Sequence, residues 1–202
     1  MTEAGADRAG VVRRGLHLNY LTLAYNTVEA VVALAAGVVS GSVALVGFGI
    51  DSGIEMTASV AAQWRLRMDR HDARRIVAER RTRRIIGICF LALAVWVGFD
   101  ASESLLRREA PEPSPVGVGI LVLSALVMPW LARQKRSVAQ ALSSHALKAE
   151  AKQTSLCAWL SVIAMAGVGA NAVAGWWWAD PVAALAMTPI ILQEGIEGVR
   201  TR

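Results

Sequence analysis

The stretch "SGSVALVGFGIDSGIEM", residues 40–56, decides how this chain is read. It opens on small turn residues, runs apolar for two turns, and then places carboxylates at Asp51 and Glu55. Helical spacing of four puts both acids on one face, one turn apart. Nine residues beyond Ser42, at about 1.5 Å each, Asp51 falls roughly 13 Å into the apolar segment. An ionisable group near the centre of a bilayer costs at least about 2.5–3.5 kcal/mol, so a pair there demands a reason.

The surrounding sequence says that the segment is a membrane span. Of 202 residues 54% are hydrophobic, and the mean hydropathy is +0.43. The apolar residues fall in blocks of about 20, the length that crosses the hydrocarbon core as a helix. Six spans are expected, at about 17–39, 43–64, 85–106, 115–133, 141–174 and 180–199, giving an all-α membrane protein. The expected domain organisation is a short N-terminal segment, 1–16, a six-helix transmembrane domain, 17–200, and no soluble C-terminal domain. The start of the fifth span, in "SVAQALSSHALKAEAKQ", is amphipathic and is expected to project from the bilayer.

Charge sets the orientation. Seventeen Lys and Arg residues fall on the side of the termini, nine of them arginines between spans two and three. Only Arg107 and Arg108 fall on the other side. The positive-inside rule then places both termini in the cytoplasm, with the plasma membrane as the expected location. A pI near 9.9 invites a nucleic-acid reading, but these arginines follow topology and lack interleaved aromatics, so no nucleic-acid partner is expected. The "RRIVAERRTRR" stretch reads as a helix facing lipid headgroups. Residues 1–16 lack a signal-peptide pattern, and Cys89 and Cys157 stand singly on separate spans, which supports no disulfide framework.

The connections on the far side are turns. "SGS", 40–42, is tight; "EAPEPSP", 109–115, cannot continue a helix; "GWWWADP", 175–181, sets three tryptophans at headgroup level and Pro181 in a first helical turn.

Two adjacent carboxylates repel unless protons or a cation lie between them, and a bound divalent cation resolves that conflict. Span five carries the complementary donors: in "KAEAKQTSLCAWLS", residues 148–161, Gln153 and Cys157 are again four apart. Asp51, Glu55, Gln153 and Cys157 together offer two carboxylates, an amide oxygen and a thiolate, a set that suits a borderline-soft ion such as zinc. Glu29 and Glu150 are further candidates, the first lining the same cavity, the second at its cytoplasmic entrance. Lys152 is awkward beside a cation site, and is expected to snorkel or to pair with Glu150. Gly47, Gly49 and Gly53 are expected to allow close helix approach. Asp100 and Glu103 are expected to pack at the outer interface, Asn171 to bond between helices, and His17, His71 and His145 to be solvated.

In their order and spacing, "SGSVALVGFGIDSGIE", the polar pair on span five and "WWWADPVAALAMTPIILQEGIEGV" resemble the cation diffusion facilitator family. The resemblance covers nearly the whole chain. It implies a homodimeric exporter of divalent metal, usually zinc, that exchanges its cargo for protons by alternating access. The family's transport positions, two on span two and two on span five, match Asp51, Glu55, Gln153 and Cys157. This chain departs from the family in carrying Gln and Cys where His and Asp are usual. Neither the loop histidine site nor the cytoplasmic metal-binding domain is expected here, so a dimer is expected to form through the membrane helices. No nucleophile–base pair is visible, so the expected function is proton-coupled transport of zinc or a similar metal and not enzymatic catalysis, with no cofactor beyond the cargo. The alternatives are another cation (iron, cobalt, cadmium) or a non-transporting metal sensor on the same fold.

Overall fold

The computed structural model describes residues 3–67, 72–142 and 145–200. They form six helices: α1 Glu3–Ser40, α2 Val43–Arg67, α3 Asp72–Arg107, α4 Pro115–Ala141, α5 His145–Ala174 and α6 Ala179–Arg200. No strand occurs among the described residues, and all six helices are long and apolar enough to cross a membrane. The protein is a multi-pass helical membrane protein, as its hydropathy predicts.

The helix ends depart from the hydropathy blocks where charge hid helical continuity. α1 extends back to Glu3 and α3 back to Asp72, so the arginine-rich stretch is the first part of α3's backbone and not a separate helix. α4 runs on to Ala141, well beyond the expected 133, and takes residues 137–141, where the sequence predicts the approach to span five. His71 and the His145 side chain lie outside the described residues.

α2 and α5 are the most buried spans. α2 touches α1, α3, α5 and α6; α5 touches α2, α4 and α6; α1 packs on α4, and α3 on α6. The bundle is inverted relative to a water-soluble one. Val38, Val39, Phe99, Leu106, Leu126 and Val173 face outward, while Asn26, Glu29, Asp51, Glu55, Thr154 and Ser161 are buried. Lipid tails solvate the apolar exterior, so the polar side chains gather where only protein can satisfy them.

Backbone geometry at the far end fixes how α2 enters. Gly41 takes φ 69°, and the Ser42 amide donates to the Gly37 carbonyl at 3.0 Å. That is a glycine C-cap of the Schellman type, and it turns the chain from α1 into α2 in two residues. Asp180, buried at the start of α6, accepts from the Ser42 hydroxyl and from the Val43 amide at 3.0 Å. Its carboxylate occupies the positive end of α2 and uses amides that would otherwise be orphaned. Ser114 caps α4, accepting from the Gly117 amide at 3.1 Å, with Pro115 following. Asn171, expected to bond between helices, instead donates to the Pro111 carbonyl at 2.7 Å and ties the proline-rich loop to α5. Trp176 and Trp178 stack at 5.4 Å in the last turn. Glu103 pairs with Arg107 one turn along α3 at 2.6 Å.

Glycines set the α3–α6 seam. A Cβ on Gly87 would meet the Gly198 and Val199 backbone at 2.8 Å, and one on Gly195 would meet the Leu91 backbone amide at 2.9 Å. Backbone cannot yield as a side chain can. Gly87→Leu is therefore expected to destabilise the bundle by about 1–3 kcal/mol or more, visible as a lowered thermal midpoint in detergent. Of the three glycines near the acid pair, Gly49 lies against the Leu34 backbone and Gly47 against Val97, whereas Gly53 meets nothing within 4 Å.

Candidate cation site

Asp51 and Glu55 project from α2 into the centre of the bundle, 4% and 1% exposed respectively. From α1, Glu29 is likewise sealed from solvent, and the Ser52 hydroxyl donates to its Oε2 at 2.8 Å. From α5, the Cys157 thiol lies beside both the Asp51 and Glu55 carboxylates. Three carboxylates and a thiol thus share one dry region, close enough to feel one another's charge. Tyr25 and Ser124 approach Glu29 from α1 and α4, but neither hydroxyl reaches hydrogen-bond geometry.

The unsatisfied atoms are the informative ones. Glu55 Oε2, Glu29 Oε1, both amide atoms of Asn26 and the Gln153 Nε2 are buried without a partner. Folded proteins satisfy nearly all such atoms, because each orphan costs about 1–3 kcal/mol. Among the described residues, no three His, Cys, Asp or Glu side chains converge tightly enough to hold a metal as they stand.

Each residue singled out from the sequence has a definite place. Asp51, Glu55 and Cys157 come together, with Glu29 adjacent. Gln153 is half-buried, and its neighbour Thr154 also reaches Glu55, its hydroxyl donating to Glu55 Oε1 at 2.6 Å. Glu150 belongs to a different contact, an ion pair with Lys135 at 2.9 Å in which both side chains are nearly fully buried. Lys152 does not pair with Glu150: it reaches Glu197 at 2.7 Å and Glu194 at 3.1 Å across the α5–α6 seam. Its charge is thereby satisfied on α6.

Thr154 and Lys135 were missed. Thr154 stands four residues after Glu150 and three before Cys157, so helical spacing alone put it on the polar stripe. Lys135 lies in "RQKR", and reads as one more basic flank until α4 is seen to continue through it.

Six membrane-length helices around sealed, partly unsatisfied acids define a polytopic membrane protein with an ionisable core. The cation efflux transmembrane domain matches residues 20–201, and the chain belongs to that family. The chain is also 24% identical to an uncharacterized transporter of Synechocystis sp. over 173 residues, 83% of this chain and 56% of that protein. It therefore spans a little over half the length of that relative.

Proposed function

We propose that the protein is a divalent metal transporter that moves zinc or a similar transition metal out of the cytoplasm in exchange for protons. The observation that carries this reading is the Asp51–Glu55 pair, walled in beside Cys157 with a Glu55 oxygen left unbonded. Metal binding requires deprotonated acid and thiolate donors, so loading the site releases protons and acidification expels the metal. The same groups thus serve both cargoes in turn. Gln153 completes the set as a neutral oxygen donor, and a bound ion draws the four side chains together.

In this proposal both termini are cytoplasmic, the protein sits in the plasma membrane, and two copies associate through their membrane helices. The helices rock around a midplane site, the general scheme for carriers of this kind. Transport, not catalysis, is the proposed activity, in keeping with the cation efflux domain that spans residues 20–201.

Zinc flux into proteoliposomes carrying a pH gradient tests the proposal: uptake should require the gradient and collapse when it is dissipated. The ligand set makes a second prediction. Cys157→Ser exchanges a soft donor for a hard one, so Cd²⁺ and Zn²⁺ affinity should fall at least about tenfold while Mn²⁺ affinity changes less. Titration calorimetry on the purified protein reads this directly, and an unchanged order of metals would remove Cys157 from the site.

A further inference from the structure

The Lys135–Glu150 pair is a costly contact for a fold to keep. Both side chains are about 5–6% exposed, and the Nζ–Oε1 distance is 2.9 Å. Burying two charges rarely stabilises a fold more than a well-packed apolar pair would. The pair is also not isolated. The Lys135 ammonium donates to Thr154 Oγ1 at 3.0 Å, and the Ser59 hydroxyl approaches Glu150 Oε1 at 3.4 Å. Thr154, with one proton to give, lies 2.6 Å from Glu55 Oε1 and 3.2 Å from the Glu150 carbonyl, so the shorter bond to Glu55 takes it. A chain of contacts therefore runs from Glu150 through Lys135 and Thr154 to Glu55.

Its position matters as much as its chemistry. Lys135 lies toward the C-terminal end of α4, Glu150 toward the N-terminal end of α5 and Ser59 in the latter part of α2, all at the end of the bundle that carries both termini. Glu150 precedes Cys157 by seven residues, about 10 Å along α5. The cluster joins α2, α4 and α5 between that end and the acid pair.

We infer that Lys135 is a tethered cation that closes the route from the termini end to Asp51 and Glu55, and that an entering metal ion must take Glu150 from it. A dication nearing Glu150 competes for that carboxylate and repels the ammonium; a neutral solute does neither. The gate thus opens to positive charge, and Lys135 acts as a specificity-determining and positioning residue. Through Thr154 it also holds Glu55 by one oxygen, leaving Oε2 for the cargo. This inference rests on the site proposed above, so its test is independent of metal flux.

The test reads the thiol of Cys157, which is buried, in a Cys89→Ser background, using a membrane-impermeant maleimide applied to the termini side of proteoliposomes. The neutral pair Lys135→Met/Glu150→Gln should raise the alkylation rate of Cys157 at least about tenfold, a shift of about 1.4 kcal/mol in opening. The reversed pair Lys135→Glu/Glu150→Lys keeps the bridge and should label at the wild-type rate. Should the neutral pair fail to fold, Lys135→Gln is read by the same criterion. Labelling of the neutral variant at the wild-type rate overturns the inference, as does equal, fast labelling of the neutral and reversed pairs. A chain that moves no metal but shows gated labelling defeats the functional proposal alone; metal flux with ungated labelling defeats this inference alone.

Discussion

Replacing Asp51 by Asn, or Glu55 by Gln, is expected to lower zinc flux in proteoliposomes at least about 100-fold, while the protein remains monodisperse in detergent. Loss of an outer-shell partner alone costs about 10–100-fold in metal affinity, and a direct ligand should cost no less. The amides preserve volume, and Gln at 55 can still accept from Thr154, so the fold has little reason to suffer. What disappears is the ability to ionise and bind a cation in a region sealed from water. Binding should fail together with flux, since the donors serve both. Near-normal zinc uptake by either variant would remove the acid pair from the transport site.

The second large effect falls on stability. Asp180→Ala should lower the unfolding free energy by about 1–3 kcal/mol or more, because it strands the Val43 amide and removes the acceptor of the Ser42 hydroxyl, which keeps only its bond from the Leu45 amide. Both bonds converge on the one carboxylate that closes the N-terminus of α2 against α6. Asp180→Asn, which keeps an acceptor oxygen but loses the charge opposite the helix dipole, should fall between the alanine variant and the wild type. Thermal unfolding in detergent, followed by loss of the monodisperse peak, ranks the three. A wild-type midpoint for Asp180→Ala would show that α2 is held by its packing alone. The same clamp sets the entry point of α2 and hence the depth of Asp51, so the two predictions meet on one helix.

The six spans, the tight turn at residues 40–42 and the shared helix face of Asp51 and Glu55 were legible before any coordinates. Hydrophobic block length and i, i+4 spacing are local properties, and a bilayer leaves the backbone few alternatives to a helix. Where a polar side chain goes is not a local property. Lys152 and Lys135 look alike in sequence, yet one ends among α6 carboxylates at the edge and the other in the core. Asn171 could have bonded to any neighbouring helix; the path of the loop brought it Pro111.

From its order of residues alone, the chain determined that it is a helical membrane protein carrying a pair of acids one turn apart within a span. Only the packed structure decided which cation faces Glu150, which α5 hydroxyl touches Glu55, and which oxygens stay unbonded. The reason is physical: helical period assigns a residue to a face, but a buried charge takes its partner from whichever helix the packing sets beside it, often one far away in the sequence.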